Sequence, residues 1–332
     1  MRAPAFWRDD CAIARLLSPL GAVYGALAGK RLMREAPRAN LPTVMVGGLT
    51  AGGDGKTPLV LALAERLQAV GERPALLTRG YRRQRGGSSP LAVDLDRHNA
   101  DDVGDEALLL ARVAPTIVGA DRIASAGLAQ RLGATVLILD DGFHSHRIAP
   151  NLTILAVDSN YGAGNSRCMP AGPLRAPLDT QLAAADLLVL IGGGARGLDL
   201  AARAKKPIVA ANLTPDARAA EAMKGARVVA FAGIARPEKF FNLLEECGAD
   251  VAARVSFGDH HRFTPSDYET LSRLRHEHNA RLVTTEKDAA RMGDQIATLG
   301  VDALPVTLVF DDAAVLDKAL CGLLKAGDEA RA

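Results

Sequence analysis

Aromatic residues make up only 4% of this 332-residue chain, and its 40 basic residues are nearly matched by 38 acidic ones. A net charge of +2 excludes nucleic-acid binding by bulk charge and leaves only local basic patches to consider. Cysteine is as sparse: Cys11, Cys168, Cys247 and Cys321 lie far apart, with no Cys-x-x-Cys pair. Neither a disulfide framework nor a structural zinc site follows, and the usage suits a reducing compartment. Internal repeats and low-complexity tracts are missing too. No uncharged apolar run reaches the ~20 residues that a spanning helix needs. What is present, 48% hydrophobic and 23% charged residues, is the composition of a soluble intracellular α/β chain with material for two packed domains.

The N-terminus departs from that pattern. Leu16 to Gly29 is an uncharged run of 14 residues that contains Pro19 and is flanked by Arg15 and by Lys30-Arg31. Residues 1–40 hold seven basic and three acidic side chains, a local surplus of +4. Three readings fit: a signal peptide, an ordinary helix docked on the core, or a helix in the headgroup region of an anionic membrane. Asp9 and Asp10 in the lead-in weigh against the signal peptide.

Further on, Thr43-Val44-Met45-Val46 reads as a buried strand that opens into a glycine-rich loop. A helix is predicted over Pro58–Val70, with Leu59, Leu63, Leu67 and Val70 on one face and Gly71 ending it. Apolar runs at 75–77, 116–118, 136–139, 152–157, 187–191 and 208–211 alternate with helical patterns. That alternation predicts a mostly parallel sheet with helices on both faces. A second series, at 228–231, 251–255, 282–284 and 306–310, follows the punctuation Asn212-Leu213-Thr214-Pro215-Asp216. The expected division is a larger domain over 1–212 and a smaller α/β domain over 213–332 that closes the cleft.

Between the first strand and the first helix stands Thr50-Ala51-Gly52-Gly53-Asp54-Gly55-Lys56-Thr57. In a P-loop, backbone N–H groups cradle phosphates, the lysine reaches the β/γ-phosphates and the hydroxyl ligates Mg²⁺. Lys56 and Thr57 match those roles, while Thr50 stands where the strict pattern wants glycine. Such a loop needs a carboxylate at the end of a neighbouring strand, which Val136-Leu137-Ile138-Leu139-Asp140-Asp141 supplies. Successive strand residues face opposite ways, so one acid points at the metal. Asp140 is assigned to Mg²⁺, and Asp141 is placed with Lys56 in the catalytic group. The guanine-reading Asn-Lys-x-Asp pattern does not occur, which favours ATP.

Several strings together resemble the tetraacyldisaccharide 4′-kinase (lipid A 4′-kinase) family. They are residues 46–58, Thr78-Arg79-Gly80-Tyr81, Val103-Gly104-Asp105-Glu106, Leu139-Asp140-Asp141-Gly142-Phe143, residues 169–175, Phe257-Gly258-Asp259-His260-His261 and Thr284-Thr285-Glu286-Lys287-Asp288. They follow the family's order, and the family shares the non-glycine first P-loop position. Two departures stand out. His144-Ser145 occupies the place of the family's usual Gln-His, and Gly48 that of an asparagine common before the P-loop.

The resemblance implies transfer of the ATP γ-phosphate to the 4′-hydroxyl of a tetraacyldisaccharide 1-phosphate, with ATP and Mg²⁺ as cofactors. It also implies an Asp–His pair for the acceptor's proton, Asp105 with His260, without telling which is the base. Four arginines lie within residues 79–85, around Tyr81. Arg79, Tyr81 and Arg175 are candidate contacts for an anionic substrate, since arginine forks bind phosphate. Glu286-Lys287-Asp288 reads either as a nucleotide or substrate contact across the cleft or as a helix N-cap. The expected partners are the lipid disaccharide and an anionic membrane surface, with no nucleic acid and no obligatory protein partner. The expected location is peripheral, on the cytoplasmic face of the inner membrane. The competing functions are a membrane-associated P-loop ATPase switch and a P-loop kinase for a small metabolite.

Overall fold

The computed structural model describes residues 4–81, 83 and 89–329. Eight strands come first: β1 (Thr43–Gly48), β2 (Pro74–Thr78), β3 (Leu91–Ala92), β4 (Thr116–Val118), β5 (Val136–Asp140), β6 (Leu152–Asp158), β7 (Leu187–Ile191) and β8 (Ile208–Pro215). Four more, β9 (Arg227–Ala232), β10 (Asp250–Ser256), β11 (Arg281–Thr285) and β12 (Val301–Leu304), form a separate parallel sheet in the order β10-β9-β11-β12. The last strand, β13 (Val306–Phe310), completes a nine-stranded sheet ordered β13-β8-β7-β6-β1-β5-β2-β4-β3. Within that sheet only β13 and β3 run antiparallel to their neighbours.

Apolar residues on both faces make the larger sheet a two-sided core, as a parallel sheet covered by helices requires. Val44, Val46, Val136 and Ile138 pack on one face with Leu59, Leu63 and Leu67 of the helix α2 (Lys56–Ala69). Their strand neighbours Met45, Leu137 and Leu139 face the opposite cluster, as period-two alternation dictates.

The division expected at residue 212 needs one amendment. Val306–Phe310 pairs with β8 rather than with the smaller sheet, and Leu316, Leu320 and Leu323 of the following helix join the core around Val44 and Ile154. An apolar strand pairs where an exposed edge receives it, and β8 offered that edge. The smaller sheet is thus built from residues that leave β8 and return beside it.

The N-terminal helix α1 (Ala12–Leu32) has 21 residues, longer than the uncharged run because the flanking charged residues are helical as well. On length and a mean hydropathy of 1.3 it is long enough to cross a bilayer. Its small residues face the protein: a Cβ on Gly21 or Gly25 would stand 2.7 Å from Cys168 atoms. Leu16, Leu20, Val23 and Leu27 point outward and are at least 60% exposed. The helix therefore docks by its glycines and leaves its large apolar side chains uncovered.

Candidate active site

β1 ends in the P-loop, where Gly52, Gly53 and Gly55 adopt left-handed backbone, which glycine enters without steric cost. Gly55 caps the start of α2. Thr50 is not among the left-handed residues, so its position has no need of glycine. Instead it is buried and braced: its N–H donates to Asp54 Oδ2 at 2.9 Å, and its hydroxyl bonds the other carboxylate oxygen. Gly48 makes room for this brace, because a Cβ there would stand 2.5 Å from Asp54 Oδ2. The string 169–175 props the loop from outside, with Thr50 bridged to Leu174 and Ala51 N–H donating to Pro173 O at 2.9 Å.

The register places Asp140 opposite Val46, so the two acids stand level with the root of the P-loop. Asp141, in left-handed backbone, lies 3.7 Å from Lys56 Nζ and 3.4 Å from Arg175 Nη1. Burial opposes its charge, but Lys56 and Arg175 win and hold its carboxyl well below the usual range. Asp140 has the opposite environment. It is 2% exposed, its Oδ2 has no hydrogen-bond partner, and burial, Glu106 and Asp141 push its pKa up to about 7. Thr57 Oγ1 lies 3.4 Å from Glu106 Oε1.

The smaller sheet supplies the rest. His260, in the loop after β10 and in left-handed backbone, anchors its N–H on Gly233 O at 3.0 Å. Its Nδ1 stands 3.0 Å from Asp105 Oδ2, at the start of helix Asp105–Ala111. Burial alone would raise the Asp105 pKa. The hydrogen bond and charge of His260, with Arg291 and Lys287 nearby, bring it down to about 2. Burial disfavours the imidazolium of His260, yet Asp105 raises its pKa overall. Tyr81 presents its ring to His260 with centroids 5.1 Å apart.

Of the residues read from the sequence, the structure brings Lys56, Asp140, Asp141 and Arg175 into one group and Asp105, His260 and Tyr81 into another. Arg79 sits exposed at the end of β2. The remainder of its basic run, except Arg83, lies outside the described residues. At Glu286-Lys287-Asp288 the structure shows a helix cap, Thr285 capping that helix through Asp288 N, while Lys287 Nζ reaches Glu106 on the larger unit at 2.6 Å.

Sequence reasoning missed Arg236. From the loop after β9 it crosses to the P-loop, pairs with buried Asp158, lies 3.5 Å from Asp54 Oδ1 and stacks 3.8 Å over Tyr161. Lys239 joins it on Asp158 at 2.6 Å. An arginine and lysine beside a helix-starting proline carry no spacing signal.

Phosphate cradle, orphaned acid and Asp–His pair are thus framed by strings spread over most of the chain, and similarity to known proteins runs over the same extent. The Tetraacyldisaccharide-1-P 4'-kinase family profile matches residues 13–325. A tetraacyldisaccharide 4'-kinase of Paramagnetospirillum magneticum is 50% identical over 320 residues, covering 95% of this chain and 97% of that one. One of Nitrobacter winogradskyi is 46% identical over 325 residues, covering 95% and 96%. The solved "apo" form LpxK from Aquifex aeolicus in complex with ATP superposes with a TM-score of 0.72 at 24% identity, covering 94% of this chain and 99% of that one. That likeness establishes the P-loop kinase fold, and the sequence matches carry the assignment further: the chain belongs to the tetraacyldisaccharide-1-P 4'-kinase family.

Proposed function

We propose that this kinase carries out its transfer in the cleft between the P-loop and the Asp105–His260 pair. Its reaction moves the γ-phosphate of ATP to the 4′-hydroxyl of a tetraacyldisaccharide 1-phosphate, a step of lipid A biosynthesis. The observation that carries the assignment of roles is the 3.0 Å contact between Asp105 and His260. Such a pair suits an acceptor alcohol, whose proton must leave as its oxygen bonds phosphorus.

In this reading residues 50–57 hold the triphosphate and Lys56 neutralises charge that spreads over the transferring group. The acceptor oxygen forms its bond to the γ-phosphorus as the bond to ADP breaks, and the hydroxyl proton passes to the Asp105–His260 pair. Asp141 keeps Lys56 and Arg175 aimed, and Arg79, Tyr81 and Arg175 contact the anionic substrate. The smaller sheet closes on the larger one to complete this arrangement.

Mg²⁺ fits the residues present. Thr57 and Asp140 would hold it, and Asp140 offers a buried oxygen without a partner and a charge that a dication would relieve. When bound, it supplies charge neutralisation between the phosphates.

The outward apolar face of α1, with Lys30, Arg31 and Arg34 at and just beyond its end, suits the surface of an anionic membrane. Docking by its glycines lays the helix along the protein, so the attachment is peripheral, on the cytoplasmic face where ATP is supplied. The test is label transfer from γ-labelled ATP to a tetraacyldisaccharide 1-phosphate, with Lys56→Ala as control. Transfer by the native chain and none by the variant is expected; ATP hydrolysis without any labelled lipid would sink the proposal.

A further inference from the structure

Asp105 is held from two sides, and only one of them enters the reaction described above. Arg291, on the helix Glu286–Met292 that follows β11, brings Nε to 2.8 Å from the same Oδ2 that faces His260. Its side chain is 7% exposed. The guanidinium does not reach Asp105 by chance of a flexible arm, because its far side is fastened. Nη1 lies 3.0 Å from Asp288 Oδ1 and donates to His261 O at 3.2 Å.

Asp288 is itself fully buried and accepts from Gly233 N–H at 3.0 and 3.1 Å and from Thr285 Oγ1 at 2.7 Å. A Cβ on Gly233 would stand 2.9 Å from both Arg291 Nη1 and Asp288 Oδ1, so the frame closes only around glycine. The carbonyl of that glycine receives the His260 N–H. One turn of backbone therefore sets the guanidinium and the imidazole in fixed relation before either meets Asp105.

Both cations fall on Oδ2, which leaves Oδ1 without a partner among the described residues. The Arg291 contact is a close charge pair rather than an aligned hydrogen bond, since Nε has no hydrogen-bond partner. It consequently does not compete with His260 for the lone pair that Nδ1 uses. Burying a guanidinium is costly unless acids surround it, and here Asp288 and Asp105 do. Arg291 also lines a cavity of about 270 Å³ with Tyr81, Asp105, His260 and Arg262.

We propose that Arg291 is a positioning residue that acts through Asp105: it pins Oδ2, leaves Oδ1 to meet the acceptor hydroxyl, and shares the carboxylate's charge with His260. The proposal rests on Asp105 and His260 being the proton-accepting pair. The charged groups around that pair are Glu106 beside Asp105, Lys287, Asp288 and Arg291 on the facing helix, and Asp259 on the loop of His260, with Tyr81 against the imidazole ring.

The experiment compares Arg291→Gln and Arg291→Lys with the native chain. It reads kcat and KM for ATP in the label-transfer assay and the titration of the His260 imidazole by NMR. Arg291→Gln should lower kcat about 100-fold, the cost of roughly 1 Å of misplacement, while KM for ATP stays within about two-fold. His260 should titrate at higher pH once a like charge is removed. Arg291→Lys, which keeps the charge, should recover part of kcat and return the titration toward native. Should Arg291→Gln fail to fold, Arg291→Gln/Asp288→Asn removes the unpaired buried acid and is read the same way. Native kcat in Arg291→Gln, or an unmoved His260 titration, would overturn the proposal. A native chain that labels no disaccharide would instead overturn the functional reading, and the His260 titration would still decide the role of Arg291.

Discussion

Asp105 and His260 lie 155 residues apart in the chain, on the larger and smaller units, yet His260 Nδ1 stands 3.0 Å from Asp105 Oδ2. The pair exists only while the smaller sheet is seated over the P-loop. Three further bridges hold that seat, Lys287–Glu106, Arg291–Asp105 and Arg236–Asp158. The Asp105–His260 pair and the P-loop are therefore joined through one interface.

Replacing Asp105 with alanine should separate those two functions. kcat is expected to fall by roughly 10²–10⁴-fold, the range for loss of a positioned proton acceptor. ATP affinity, measured with a fluorescent ATP analogue, should change by much less. Equal, large losses of ATP affinity would move Asp105 from the acceptor to the metal.

Gly48→Ala should damage the P-loop without touching a phosphate-binding group. The new Cβ would stand 2.5 Å from Asp54 Oδ2 and dislodge the carboxylate from Thr50. KM for ATP should rise about tenfold, the equivalent of roughly 1.4 kcal/mol. An unchanged KM would mean that Asp54 does not shape the loop.

His144 makes stability depend on pH. Burial, with Arg175 and Lys56 nearby, brings its pKa down to about 4, and its Nε2 stands 2.9 Å from Gly48 O. The neutral ring donates that bond. Between about pH 4 and pH 6.5 the unfolded chain binds more protons at this residue, so stability rises with pH across that window and is lost below it. The full effect is on the order of 1–3 kcal/mol. His144→Gln, which restores the family's residue and can donate the same bond, should flatten this slope. Urea unfolding at pH 4.5 and pH 7 reads the difference; identical slopes in both proteins would remove His144 as the cause.

The outward face of α1 predicts membrane behaviour. Leu16, Leu20 and Leu27 are each at least 60% exposed, and each apolar side chain buried in lipid contributes about 1.5–3 kcal/mol. Changing all three to serine should abolish co-sedimentation with anionic vesicles while leaving ATP binding intact, since the glycine face still docks. Undiminished sedimentation would refute α1 as the contact.

Local backbone signals explain why so much of the fold was legible. The P-loop glycines, the apolar strands and the run 136–141 are written in contiguous residues, and the parallel sheet follows from their alternation with helices. Asp105 and His260 were legible only through resemblance to a family, since neither spacing nor composition links residues so far apart. Val306–Phe310 misled because period-two hydrophobicity says that a strand exists and not which edge receives it. Arg236 and Arg291 were silent because a single arginine looks alike on a solvated surface and across an interface. Their partners Asp158 and Asp288, buried and acidic, acquire meaning only in three dimensions.

The return of β13 to the larger sheet has a consequence for how the chain can be taken apart. Pro215 lies opposite Val306, and Asp216 N–H donates to Pro305 O at 2.9 Å. The intervening segment is thus an insertion cassette whose two ends sit one strand spacing apart, ~4.8 Å. A two-residue hairpin would bridge that gap. Excision there would leave a continuous nine-stranded nucleotide module stripped at once of His260, Lys287, Arg291 and Arg236. The cradle and the smaller sheet are therefore joined by a double seam rather than arranged end to end, and the Asp105–His260 pair is split across it.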